Sequence, residues 1–440
     1  MTLPLLLALM LPFQSLAGIS ESAAYANRGF HEVLLRCPER VWPGIDWSDL
    51  QFLFSDPENK DAWLISKSSA VPEIVRKDQT IEDIFEPGFK VGFVDYRGQR
   101  TVAVNTSDLT AEGSFRLAVH QLFKETAQSQ WEIQDYDDRG VLYPLLPEPR
   151  YLRRMGFESL KKAYLAIIEK RSPKNDLAAA AWWLQRWRKS YPEELPMRTD
   201  SLEGTALFTE QMSFLFTEAG CGVGGDSFYS AYLDYLEPEM RLYADDMLSY
   251  EGMSLGSLSS FVLSSLQPGW FTKMNGKVMP SDLVLEGIRP EPQADDRVLR
   301  DAYREIVAEQ QKQAHHRINS SLDKEKDKDY VRVSIPARWQ KGELSIDLSY
   351  VLRYRLDTTL LIFDNANDFK GERGSIHIPG KSIVFQSRRN GCGSVFHFLM
   401  PVTAITQDGK HFEGRNWWHR FSFDGIRKTV NGFTWLCPRE

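Results

Sequence analysis

Apolar positions follow two rhythms along this chain. Between about residues 110 and 290 they recur three and four places apart, and after residue 330 they alternate or run in short blocks. The first rhythm predicts helices and the second strands. One helix is expected to open at Gly113 and Ser114 and end near Trp131, with Phe115, Val119, Leu122 and Phe123 on its apolar side. Others are expected over 150–171, 175–190 and 200–219. The last has Asp200 or Ser201 as N-cap and Glu203 in its first turn. Helices continue to about residue 285, including an apolar one at 255–266 whose Ser and Gly residues permit close packing. Residues 294–325 read as a long charged helix. It ends in a Lys/Asp/Glu run from Asp323 to Asp329, a solvated face and linker.

Either side of the helices the pattern is different. Segments 30–37 and 50–56 have strand or short-helix length. Residues 71–88, with Pro72, Pro87 and Gly88, read as loop with a short helix. Residues 89–105 alternate about Tyr96-Arg97-Gly98-Gln99, a hairpin turn. From Tyr330 onward, β-type runs separated by turn signals predict an all-β domain, a sandwich or small barrel. The fold class is α+β, a mainly helical domain with a small preceding β region and a β C-terminal domain. The expected divisions are 1–17, 18–104, 105–290, 291–329 and 330–440.

Composition narrows the function classes. A hydrophobic content of 42% suits a large core, and a net charge of −7 without a basic stripe argues against nucleic acid as partner. Residues 3–13 form a short apolar run followed by Ser15, Leu16 and Ala17, which reads as a cleaved secretory signal over 1–17. The run has no preceding Lys or Arg, so a mis-assigned start or a short hydrophobic anchor are the alternatives. No later run has the roughly 18 apolar residues of a membrane helix, so no integral membrane segment is expected after signal removal. The expected location is periplasmic or extracellular. Export permits disulfides among Cys37, Cys221, Cys392 and Cys437. Cys392 and Cys437 share the β region and are the favoured pair, which leaves Cys37 with Cys221. Free buried thiols are the alternative.

Chemistry concentrates in two segments. His120-Gln121-Leu122-Phe123-Lys124 has the frame of H-E-x-x-H, in which two histidines four residues apart offer both rings to zinc from one helix face. Glu203-Gly204-Thr205-Ala206, with Glu210, has the frame E-G-x-A-x-x-x-E. Together with Val119, Gln128 and Trp131, these positions resemble the gluzincin-type zinc metallopeptidases over about 90–290. That resemblance implies a third metal ligand at Glu203 and an active-site edge strand in the segment ending at Asn105. It implies a base at position 121 and a second histidine at position 124, where this chain has Gln121 and Lys124. An amide does not accept the proton, and an ammonium offers donors where a metal needs a lone pair. Only His120 and Glu203 remain as conventional ligands. Zinc is therefore not expected unless another residue rescues the site, and no other cofactor is indicated. Lys124 is expected to pair with Glu203 where the cation would stand. Against this, all five residues are also compatible with ordinary helix-surface positions, with Glu203 favoured simply by a helix N-terminus.

The other candidates are weaker. His315 and His316 are adjacent on the charged helix. His397, His411 and His419 lie in the β region, with His397 expected as a satisfied, partly buried residue. Trp417 and Trp418 are candidates for an aromatic surface. The glycine-rich stretch 219–226 lacks the Lys-Ser/Thr of a phosphate loop and reads as a helix connection. The expectation is an exported pseudopeptidase that binds or scaffolds a protein, peptide or envelope component. An active metal-dependent hydrolase with an atypical site using His120 and Glu203, and a structural protein with a vestigial cleft, are the alternatives.

Overall fold

A computed structural model describes residues 20–439, apart from 57–60, 77–78, 86–88, 108, 132–140, 196–197, 224–248, 337–338, 340–345, 356–357, 364, 388–390, 394–395 and 417–418. The expected signal at 1–17 and the Trp417-Trp418 pair lie outside the described residues, as does the end of the 219–226 stretch.

The chain begins with α1 (Glu21–Gly29), whose N-cap Ser20 accepts the Ala23 amide. It continues into a π-turn at Phe30–Leu34, so the ambiguous 30–37 segment is helical, and a short α2 (Pro38–Val41) follows. Next come β1 (Gln51–Asp56), β2 (Asp61–Ile65), β3 (Glu73–Arg76), α3 (Gln79–Ile84), β4 (Val91–Tyr96) and β5 (Gln99–Asn105). They build a sheet in the order β3-β2-β1-β5-β4, antiparallel except for the β1–β5 pair. The 89–105 hairpin is present. Arg97 and Gly98 both take positive φ, 54° and 74°, as a two-residue turn matching strand twist requires. Two details differ from expectation. β3 lies in the stretch read as loop, and β5 is an interior strand, with β4 as the edge. Phe52 and Phe54 of β1 face the helices, and Leu53 faces Val75, Ile81 and Ala103 on the other side.

The helical half follows: α4 (Ala111–Thr126), α5 (Pro147–Ile168), α6 (Lys174–Ser190), α7 (Thr199–Ala219), α8 (Ser249–Leu266), α9 (Pro280–Val284) and α10 (Arg297–Lys326). α4 opens earlier than Gly113, because the Thr110 hydroxyl accepts the Gly113 amide and caps it. α7 has no side-chain cap. Asp200 instead bonds Arg153, and the Ser201 hydroxyl donates to the Val278 carbonyl. The expected Ser/Gly packing is present where α7 crosses α8. A Cβ on Gly204 would sit 2.6 Å from the Gly256 Cα, so the two backbones are in contact there.

The strand β6 (Val141–Leu142) and eleven C-terminal strands form one continuous ladder. These are β7 (Tyr330–Ile335), β8 (Ile346–Arg355), β9 (Thr358–Phe363), β10 (Asn367–Gly371), β11 (Gly374–Ile378), β12 (Ile383–Ser387), β13 (Phe396–Pro401), β14 (Ile405–Asp408), β15 (His411–Arg415), β16 (Arg420–Val430) and β17 (Phe433–Pro438). Strand order is β10-β11-β16-β17-β7-β13-β12-β9-β8-β6, and β15 and β14 branch from β16. The first half of β16 pairs with β11 and β15, the second half with β17. Its crossing point is Gly425, where a Cβ would meet the Cys437 carbonyl. The ladder thereby folds into two layers over one core, with Val333, Leu361, Phe398 and Leu436 on one side and Ile376, Phe412 and Phe423 on the other.

α10 is more than a linker. Tyr303, Val307, Ala314, Ile318 and Leu322 form a buried stripe along it. Val307, Ala314, Ile318 and Leu322 pack on Leu352, Leu360, Phe385 and Leu399, on the sheet face opposite the sandwich core. Because β6 pairs with β8, the helical region also lends a strand to the C-terminal sheet. The disulfides Cys37–Cys221 and Cys392–Cys437 are both formed, with Cα separations of 6.1 and 5.3 Å. No helix among the described residues is long and apolar enough to cross a membrane.

Candidate functional site: a charge ladder between two helices

α4 is amphipathic because its apolar residues recur at helical spacing. Phe115, Val119, Leu122 and Phe123 are fully buried, which fixes the helix's rotation about its axis. Arg116, His120 and Lys124 then fall four residues apart on a single face, since side chains at i and i+4 lie one above the other. α7 runs across that face and presents Glu203 and Glu210, two turns apart. The glycine contact at Gly204 sets α7 against α8. Gln128, just beyond α4, donates to the Thr205 hydroxyl at 3.1 Å and holds the end of α4 to α7. The Trp131 ring lies 6.1 Å from that of Phe123. The motif positions beyond the ionic residues thus serve packing and register.

The five charged side chains alternate in sign along the seam. Arg116 Nη2 donates to Glu210 Oε1 at 2.8 Å. Glu210 Oε2 is 3.0 Å from His120 Nδ1, and His120 Nε2 is 3.1 Å from Glu203 Oε2. Lys124 Nζ lies 3.9 Å from Glu203 Oε1. The expected Lys124–Glu203 pair is present, as the looser end of a longer ladder. Arg116 was not singled out from the sequence, although its place four residues before His120 is the available signal. The seam is buried, with the His120 side chain 13% exposed and that of Glu203 7%. This removes the helix-surface alternative for Glu203, which sits in the second turn of α7 and bonds across to another helix.

The surroundings of His120 favour its protonated form. Burial alone lowers the pKa of an imidazole, but hydrogen bonds and charge from Glu203 and Glu210 outweigh it and hold His120 up at about 9. At neutral pH it is an imidazolium with both N–H groups donating. Burial pushes the Glu210 carboxyl up, but Arg116 and His120 together hold it below the usual range.

These residues do not fit a divalent cation. A ligating imidazole needs a lone pair, and both His120 nitrogens are committed as donors to carboxylates. Each carboxylate is already neutralised from two sides, and three cationic groups face two anionic ones. Lys124 stands where the metallopeptidase pattern has a second ring. Among the described residues no group of three His, Cys, Asp or Glu side chains is placed to hold a metal ion. Gln121 is buried beside this seam in sequence, and its amide is no base.

The remaining candidates are dispersed. His315 Nδ1 is 3.1 Å from the Tyr143 hydroxyl. His397 is buried and stacked on Phe385, and burial, with Arg332 nearby, brings its pKa down to about 3. His419 stacks on Phe398, and burial lowers its pKa to about 4. His411 is half-exposed and raised by its hydrogen bond to Asp424. None of them approaches the α4–α7 seam. A second ionic cluster was not anticipated. Arg150 and Arg153 of α5 meet Glu194, Asp200 and Glu251 in the helical core.

Compared with known proteins, the chain matches no family model, no curated protein and no solved structure.

Proposed function

We propose that the chain is an exported pseudopeptidase, a binding or scaffolding protein for a protein, peptide or envelope component, built on a gluzincin-like frame. The observation that carries this reading is the Arg116–Glu210–His120–Glu203–Lys124 ladder. On that frame the positions of the base and the second histidine carry Gln121 and Lys124, and the two remaining ligand types, His120 and Glu203, are hydrogen-bonded to each other. The ladder supplies by ion pairing the neutralisation that a cation would give to two buried carboxylates, whose charge is costly when uncompensated. Export is supported by the two disulfides, since such bonds persist in oxidising compartments. A peptide-binding mode is supported by β4, the outermost strand of its sheet, which packs beside α4. An extended peptide could add to that edge as a further strand.

The test is metal restoration. The purified protein is expected to carry no stoichiometric zinc and to hydrolyse no peptide. The double variant Gln121→Glu with Lys124→His is expected to gain zinc affinity, read by calorimetry. Zinc-dependent peptide turnover by the natural chain, abolished in His120→Ala, would overturn the reading. So would a double variant that folds but gains no metal affinity.

A further inference from the structure

A cavity of about 350 Å³ lies on the side of α7 opposite the ladder. Phe208 and Phe216 point into it from α7, Phe261 from α8, Trp42 from just after α2, and Trp270 from a short 3-10 turn. The rings hold one another edge to face: the Trp42 centroid is 5.3 Å from that of Trp270 and 6.3 Å from that of Phe208, and Phe208 is 4.7 Å from Phe261. The wall is therefore preformed rather than collapsed. Trp270 Nε1 donates to the hydroxyl of Ser264, another lining residue, so the indole N–H is satisfied within the wall. A cavity of this volume falls at the small end of ligand sites, roughly 300–1,000 Å³.

One cation lines the cavity. The Arg40 guanidinium stacks over the Phe216 ring at 4.3 Å and donates to the carbonyls of Cys221 and Val223. The Cys37–Cys221 disulfide closes the same corner, so the guanidinium is held in place. Among the described residues no carboxylate forms an ion pair with Arg40. Its neighbour Glu39 also lines the cavity but is exposed, so water screens its charge. An aromatic chamber walled on one side by a guanidinium that two carbonyls hold in place, and that meets no ion-paired carboxylate among the described residues, suits a flat ring that carries an acid, because an Arg Nη group bonded to one carbonyl keeps a second N–H for a carboxylate.

We propose that this cavity binds a small aromatic monocarboxylate, its ring lying against the wall that Trp42, Phe208, Phe261 and Trp270 form and its carboxylate on Arg40. The proposal is independent of the reading of the α4–α7 ladder. Isothermal titration of the full chain with 1-naphthylacetate tests it, with 1-naphthylacetamide as the uncharged counterpart. Saturable binding of the acid is expected, with the amide weaker by roughly tenfold or more, the scale of one charge-assisted hydrogen bond. Arg40→Gln should weaken the acid to the level of the amide, and Arg40→Lys should recover part of the difference. Glu39→Gln should tighten the acid modestly at low salt. Met212→Trp, which fills the cavity, should abolish binding of both probes while thermal unfolding by circular dichroism stays cooperative. Equal affinity for acid and amide, no saturable binding, or undiminished binding in a folded Met212→Trp variant would each overturn the proposal.

Discussion

Among the described residues the helical half buries two ionic assemblies, and they pair their charges in different ways. The α4–α7 ladder sets three cations, one of them a histidine, against two carboxylates. The Arg150–Arg153 cluster sets two guanidiniums against Glu194, Asp200 and Glu251. The first is held together by keeping a proton on His120. In the second, burial raises the pKa of Glu251, with Glu194 adding to the effect, and Arg150 and Arg153 pull against it. The second cluster is also the more deeply buried, and it is knit by planar forks. Arg150 meets Glu194 and Glu251, Arg153 meets Glu251 and Asp200 and stacks at 4.4 Å over Trp187, and the Trp187 indole donates to Glu194 at 2.6 Å. It ties α5 to the ends of α7 and α8, so it is a structural keystone. The ladder, by contrast, is a single file along one seam, with a loose lysine at one end.

The difference predicts a gradient of effects. Removing Arg153 by substitution with Ala takes from buried Asp200 its guanidinium and leaves Glu251 with Arg150 alone. Loss of about 3–5 kcal/mol is expected, the cost of breaking a buried pair, measured by urea unfolding. A loss below 1 kcal/mol would show the cluster to be solvated.

The ladder's contribution should depend on pH. His120 has its folded-state pKa raised to about 9 from an ordinary 6.5, so the stability it lends is fully present below pH 6.5. It is lost as pH rises through 9. The shift corresponds to roughly 3 kcal/mol at about 1.4 kcal/mol per unit. Glu210, depressed, acts in the other direction: its contribution is present above pH 4.5 and lost as pH falls through its lowered pKa. Unfolding free energy measured from pH 6 to 10 should therefore decline in the natural chain and decline less in His120→Gln. Equal slopes in the two proteins would remove His120 from the balance.

The smallest effect is expected at the end of the ladder. Lys124 lies 3.9 Å from Glu203, at the edge of ion-pair reach, and the ladder without it still has one cation per carboxylate. Lys124→Met should therefore cost less than Arg153→Ala, about 1–2 kcal/mol by urea unfolding, because the contact is long but the lysine is only 13% exposed and little screened. A loss comparable to that of Arg153→Ala would make the lysine, and not the histidine, the centre of the seam.

Much of this arrangement was legible in the residues. The helical spacing of Phe115, Val119 and Phe123 placed His120 and Lys124 on the opposite face of α4. The β runs after Tyr330 and both cysteine pairs could be read directly. What escaped depended on partners far away in the chain. Arg116 meets Glu210 across 94 positions, and no local spacing signals that contact. β10, Asn367 to Gly371, has a single buried residue, Phe369, so its alternation is too short to register. The stripe on α10 advances by one buried residue per turn or two, with Ala314 among charged neighbours. That is enough for a helix lying on a flat sheet but weak as a periodic signal. The interior position of β5 follows from its parallel pairing with β1, which hairpin logic cannot supply. The Arg150–Arg153 cluster has no local signature either, because its three carboxylates come from three other segments.

The central claim is that His120 is an imidazolium clamped between Glu203 and Glu210. The most direct measurement is the pH titration of ¹⁵N-labelled histidine by NMR, with His120 assigned through His120→Gln. The account predicts that both His120 nitrogens remain protonated through neutral pH and titrate near 9, unchanged by one equivalent of zinc. A His120 ring that is neutral at pH 7, or that shifts on adding zinc, would contradict it.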